Sequence, residues 1–326
     1  MEDMEKGKKM TSAKTLLVLG ASGLTGYKSM QLAKKRFEAY GTFNMRKLSS
    51  PTDKSLLQLD ITKEDVLRKS FSEIRPDIVL NTTALHNVDY CESHQDEAFN
   101  INTKVVGLIA SLCNNLGSRL IHISTDFVFD GEKKGNYFES DVPNPQSVYA
   151  KSKLEGEVQA KKASSYSILR PSVVYGWTPL EIQGSISSSG KPMNFALWAL
   201  SKMNKSEELK VVNDQYTSPT LADVLAAIAL RVALKETNDL YHVSGTSCMS
   251  RYEFTRKIAA TMGYSPDIIQ AIESKSIAQA AKRPMNSCLN CEKLQNELNF
   301  KLLNIDQSLS VMRSQIEIES PSILGN

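Results

Sequence analysis

At 326 residues the chain is long enough for one large α/β domain or for a main domain with a smaller appendage. Its 41% hydrophobic and 23% charged residues indicate a packed globule and exclude a disordered chain. A formal net charge of +3 gives nucleic acid no support as the main partner. The longest apolar run, 221–234, is broken by Asp223 and Arg231 and falls short of the roughly 18 residues a membrane span needs. The charged start lacks the apolar stretch of a secretory signal, so a cytoplasmic protein with a disordered tail over 1–13 is expected.

Residues 15–19 form a first strand that runs into Gly20, Gly23 and Gly26, a GxxGxxG at the entry to a helix reaching about Tyr40. Glycines there allow a tight turn and close backbone approach, so that a pyrophosphate rests on the helix N-terminus. Gly20, Ser22, Gly23 and Leu24 are the expected contacts. A second strand follows at 42–45. The carboxylate that binds a ribose 2′-hydroxyl in NAD sites belongs about 20 residues past the glycines. Arg46 and Lys47 stand there instead, which favours the 2′-phosphate of NADP(H) over NAD(H). A third strand, 56–61, ends at Asp60 and Ile61, placed to border the adenine.

After a helix over 63–74, a fourth strand (77–81) opens onto a loop of small residues. Thr83 and Ala84 suit the dinucleotide there, and His86 is a candidate substrate contact. A helix over 95–116 leads to a fifth strand, 119–123, which delivers Ser124, Thr125 and Asp126 to the strand's C-terminal end, the edge where open α/β sheets bind ligands. The next helix follows Pro143 and Pro145, runs to about Ala163, and carries Tyr149 and Lys153 one turn apart on one face. A tyrosine hydroxyl has an ordinary pKa of about 10, and a neighbouring ammonium lowers it. Thr125 or Ser124 would supply a donor beside a developing oxyanion.

A sixth strand covers 166–170. Residues 178–192 form a Ser/Gly-rich loop, read either as a closing lid or as disorder. The C-terminal third shows three helical segments. One begins with Thr220 as N-cap; another opens with the Ser250–Glu253 capping box and stops at Gly263. Beyond about Ile316 a loose tail is expected. Five cysteines, Cys91, Cys113, Cys248, Cys288 and Cys291, include one CxxC without a second pair, so they read as reduced thiols and no metal site is expected. Alternation of strand and helix gives an α/β fold, a Rossmann-like doubly wound parallel sheet with a smaller C-terminal substrate lobe. The divisions are 1–13 tail, 14–176 NADP-binding domain, 177–315 mainly substrate lobe and 316–326 tail.

These residues resemble the extended short-chain dehydrogenase/reductases, and within them the dTDP-4-dehydrorhamnose reductase family, over roughly residues 15 to 312. Ser124 to Gly131, Tyr149 to Lys153 with Gly156 and Glu157, Asn213-Asp214-Gln215 with Pro219, and Arg283-Pro284 with Asn286 and Ser287 carry the likeness. The resemblance implies a catalytic group of Thr125, Tyr149 and Lys153, with Tyr149 and Lys153 also on the nicotinamide ribose. It implies reduction of the 4-keto group of a nucleotide-linked deoxysugar with hydride from NADPH or NADH, giving dTDP-L-rhamnose. Asp126, Asn213, Gln215 and Arg283 join His86 as expected substrate contacts, with Arg283 read either as a partner of the diphosphate or as half of a structural salt bridge. Val173 replaces a common family Trp, Ala150 a Gly and Phe127 a Tyr. The same look extends to the regulatory beta subunit of methionine adenosyltransferase, an NADP-binding partner protein, as the alternative. A nucleotide-sugar is the expected partner, with a homodimer left open.

Overall fold

The computed structural model describes residues 13–44, 55–179 and 194–325. Leu16 to Leu19 have no solvent exposure, so strand β1 (Thr15–Leu19) is covered on both faces, as a central strand of a parallel sheet must be. It pairs with β2 (Glu38–Phe43) on one side and with β4 (Ile78–Asn81) on the other. Beyond β2 lies β3 (Leu56–Gln58); beyond β4 come β5 (Arg119–Ile123), β6 (Tyr166–Pro171) and β7 (Asp239–Val243). The order β7-β6-β5-β4-β1-β2-β3, parallel throughout, reverses between β1 and β4. That reversal opens a crevice at the C-terminal ends of the strands.

Several boundaries differ from the sequence expectation. The first helix is Leu24–Ala33, not a run to Tyr40, and β2 starts at Glu38, because Tyr40 and its neighbours pair with β1. β3 stops at Gln58. The 95–116 helix contains a π-turn at Asn100–Lys104. The turn directs the Asn102 carbonyl at Gly156, where a Cβ would stand 2.2 Å away. The Asn102 amide donates to the Leu85 carbonyl and the Ser152 hydroxyl, tying the loop after β4 to the helix Val148–Ala160.

The sheet also draws on the C-terminal third, which the helical reading missed: β7 pairs with β6, and helix Ala222–Val232 packs on Leu24–Ala33. Leu221, not Thr220, is the N-cap of that helix; the Thr220 hydroxyl instead donates to the Ser172 carbonyl. The 177–315 division therefore gives a strand and a helix back to the parallel sheet. A second core, around Trp177, Leu200, Phe254 and Leu309, forms the smaller lobe. Its last helix, Ile305–Glu319, buries Ile316 completely, and Glu319 accepts from the Trp177 indole at 2.8 Å. A tail starting at 316 is thus corrected: packing and an indole bond hold this stretch. Cys248 and Cys288 form a disulfide, which corrects the reading of all five cysteines as thiols; Cys91, Cys113 and Cys291 are free and buried.

Across the middle of the sheet, Glu157 on helix Val148–Ala160 accepts from Arg170 Nε at 2.8 Å and Nη2 at 2.7 Å, and from the Ser124 hydroxyl at 2.5 Å. Glu157 and Arg170 side chains are 1% and 4% exposed. Removing one partner of such a pair leaves an uncompensated buried charge. Glu157→Gln is expected to destabilise the protein by about 3–5 kcal/mol in urea unfolding; a change under about 1 kcal/mol would show that the pair is not needed.

Candidate functional site

β5 ends at Ile123, and the chain stays extended through Thr125 (φ −159°, ψ 155°) before one 3-10 turn, Asp126–Val128, which Thr125 caps by accepting from the Phe127 N–H at 3.2 Å. Opposite, Ser147 N-caps the helix Val148–Ala160, and Glu92 accepts from the Val148 N–H at 2.9 Å. Both fix the first turn, so Tyr149 and Lys153 face the crevice one turn apart. The Tyr149 ring meets Phe127 edge-on at 6.1 Å.

A cavity of about 870 Å³ lies over this group. Of the residues expected from sequence, its wall holds Gly23, Leu24, Ala84, His86, Thr125, Asp126, Tyr149, Lys153, Gln215 and Arg283. Others lie outside that wall. Gly20 takes φ +85° and closes the turn beneath Gly26, whose Cβ would stand 2.2 Å from the Gly20 carbonyl. Ser22 belongs to the same turn. Asp60 accepts from the N–H and hydroxyl of Thr62, with Ile61 beside it, and Thr83 donates to Asn81. Asn213 is exposed and absent from the wall, its N–H bonded to the Ile272 carbonyl, so a substrate contact there is not supported. Arg46, Lys47 and most of the 178–192 loop lie outside the described residues.

Gly23 decides whether a dinucleotide fits. It is the N-cap of helix Leu24–Ala33 with no capping side chain, and a Cβ there would approach only the Gly20 carbonyl, at 3.4 Å, leaving the cavity side open. First-turn N–H groups have no intrahelical acceptor, and Leu24, Thr25 and Gly26 line the cavity. A pyrophosphate fits that row of donors.

Electrostatics at the centre are set by burial. Burial pushes the Tyr149 hydroxyl well up, opposed by its hydrogen bond with Thr125, so it is protonated at neutral pH. Lowering by Lys153, the sequence expectation, is not what dominates here. The Lys153 ammonium donates to the Ile123 carbonyl at 2.6 Å, and burial brings its pKa down to about 8, with Glu157 opposing. Asp126 is 2% exposed and accepts from the hydroxyls of Thr125 (3.1 Å), Ser172 (2.7 Å) and Ser287 (2.6 Å). Burial raises its pKa against those bonds. Arg283 pairs with Asp89 at 2.7 Å in the same wall.

Phe195, Trp198 and Arg251 also line the cavity, and sequence reasoning missed all three. Arg251 lies inside the recognised capping box, directly after its N-cap Ser250, but helical periodicity does not show which side chains face a cavity formed between two lobes. Val173, which stands where the family commonly has Trp, lies in the same wall. Its φ of +41° is strained for a β-branched residue, a feature no sequence pattern announced.

The chain matches the family model described as RmlD substrate binding domain over residues 14–317. It is 33% identical over 270 residues to the dTDP-4-dehydrorhamnose reductase of Escherichia coli K12, covering 79% of this chain and 85% of that one. It is 29% identical to a probable low-salt glycan biosynthesis reductase of Haloferax volcanii, covering 91% and 96%. The crystal structure of dTDP-4-dehydrorhamnose reductase from Bacillus anthracis in complex with NADP superposes with a TM-score of 0.81 at 26% identity, covering 93% of this chain and 99% of that one.

The lowered Lys153 pKa has a fixed sign. Between pH 8 and 10.5 the unfolded chain binds the proton that the folded chain has released, so the buried ammonium costs stability at pH 7 and the cost fades as pH rises. Lys153→Met is therefore expected to raise the melting temperature at pH 7 while weakening NADPH binding. Wild-type NADPH affinity should fall as pH passes about 8, whereas the Met variant should be flat across the same range in a fluorescence titration. Parallel profiles would remove the ammonium from the cofactor seat.

Proposed function

This chain belongs to the dTDP-4-dehydrorhamnose reductase family, and from that premise we propose that it reduces the 4-keto group of a dTDP-linked deoxysugar, dTDP-4-dehydrorhamnose, with NADPH as hydride source. The observation that carries the proposal is the convergence of Thr125, Tyr149 and Lys153 on one cavity that also contains an uncapped glycine N-terminus for a dinucleotide. Arg46 and Lys47 in the sequence, and the relative solved with NADP, support NADP(H) over NAD(H). The parallel sheet would hold the cofactor and the lobe around Trp177 and Phe254 the sugar nucleotide.

When bound, the cofactor supplies the hydride that reaches C4. The residues of the chain do the rest. As the ketone oxygen gains charge, the Tyr149 hydroxyl gives it a proton, completing the C4 alcohol. Burial serves this step, because an acid must hold its proton until the alkoxide forms. Thr125 opposes the effect of burial on the phenol and is itself held by Asp126 and by the Phe127 N–H. Lys153 fixes a positive charge at the end of β5, where the ribose and the resulting phenolate would lie.

Tyr149→Phe keeps the ring and removes the proton. NADPH oxidation in the presence of dTDP-4-dehydrorhamnose is expected to slow by about 10²- to 10⁴-fold with cofactor binding retained. Undiminished turnover would remove Tyr149 from the mechanism.

A further inference from the structure

Among the described residues, Arg251 is a cation of the cavity wall whose guanidinium has neither a hydrogen-bond acceptor nor an ion-pair partner. Arg283 has Asp89, with bonds of 3.0 and 2.7 Å to the two carboxylate oxygens. Asp126 is engaged by three hydroxyls and acts on Arg251 only through space. Among the described residues no side chain or carbonyl accepts from the Arg251 guanidinium, and it forms no ion pair; the Phe195 ring lies 5.0 Å from its Cζ. An aromatic face holds a guanidinium in place without using its N–H donors. The whole fork of donors thus stays available in the cavity wall.

The adjoining strand pairing adds a second unmet polar group. Met249 pairs with Thr217 and Ser250 with Tyr216, so Thr217 lies beside Arg251 in the same wall. Thr217 is 4% exposed and its hydroxyl has no hydrogen-bond partner. A buried hydroxyl left alone costs free energy unless something arrives to bond it. Arg251 and Arg283 lie close enough for the Arg283 charge to disfavour that of Arg251. Two neighbouring guanidinium groups, one with its donors still open, match a ligand with several anionic oxygens close together better than a single carboxylate.

Resting on the proposed reading of the site as a nucleotide-sugar reductase, we propose that Arg251, with Thr217 beside it, is the substrate-positioning residue that seats the diphosphate of the nucleotide-sugar. Arg251 would thereby fix how far the sugar reaches toward Tyr149. The energy of that grip comes from a part of the substrate that does not react, and serves to orient the part that does.

Calorimetric titration of dTDP, dTMP and thymidine into the NADP-loaded protein tests this without any turnover. Wild type is expected to bind dTDP at least about tenfold more tightly than thymidine. Arg251→Gln should lose about 10- to 100-fold of dTDP affinity, the weight of a charge-assisted hydrogen bond, with thymidine and NADPH binding unchanged. Thr217→Val should weaken dTDP more mildly and raise the melting temperature of the ligand-free protein, since it removes an unpartnered buried hydroxyl. This variant keeps the test open should Arg251→Gln fail to fold. Equal dTDP affinity in wild type and either variant, or no dTDP binding by wild type, overturns the assignment. Arg251-dependent dTDP binding without reduction of any 4-ketosugar would leave the seat standing and defeat the reductase reading. Reduction with dTDP binding indifferent to Arg251 would do the reverse.

Discussion

Glu157 is the residue on which the geometry of the site depends. One carboxylate on the central helix holds the Arg170 guanidinium of β6 and the Ser124 hydroxyl at the end of β5, all out of water. A buried ion pair of this kind adds little net stability, because desolvation of both charges offsets their attraction. Its contribution is directional. A helix packed only by apolar contacts can slide or rotate along a sheet, whereas one pinned by a bidentate pair has a single register. Because Lys153 stands one turn before Glu157 and Tyr149 two turns before it, that register sets where both groups meet the cavity. Gly156 works to the same end by admitting the Asn102 carbonyl of the π-turn against the helix.

The cost of this arrangement is concentrated in three buried polar groups. Lys153 is held charged against burial, Tyr149 is held neutral by it, and Asp126 needs three hydroxyl donors to stay in place. Those donors come from three separate parts of the chain: Thr125 after β5, Ser172 after β6 and Ser287 ahead of the smaller lobe's last helix. Asp126 thus joins the sheet to the lobe at the point where a substrate would lie between them. The Cys248–Cys288 disulfide closes the same junction, since Cys288 follows Ser287 and Cys248 precedes the strand that leads to Arg251.

The sheet was legible in the sequence wherever a strand is buried on both faces, as β1, β4 and β5 are, because a short continuous apolar run between turn residues suits a central parallel strand. The YxxxK pair, the glycine turn and the Ser124–Asp126 edge were legible for a related reason: each sits at a fixed place relative to a strand end. β7 was not, because Asp239 and His242 interrupt its apolar pattern and its neighbours in sequence are helices. Arg251 and Trp198 escaped because their importance lies in a cavity between lobes, which no local pattern encodes. The disulfide joins cysteines 40 residues apart, and sequence spacing gives Cys248 no more claim on Cys288 than the nearby Cys291 has. Burial comes first among the causes that set the Tyr149 hydroxyl, and the depth of a side chain is not read from a YxxxK spacing.

The central claim is that this cavity passes a hydride to C4 of a nucleotide-linked sugar. Incubation with dTDP-4-dehydrorhamnose and NADPH deuterated at nicotinamide C4, followed by NMR of the sugar product, measures that transfer atom by atom. Deuterium at C4 of a dTDP-6-deoxyhexose, from one face of the nicotinamide alone, is the predicted result. NADPH that remains unconsumed, or a product without deuterium at C4 after transfer from either face, would contradict it.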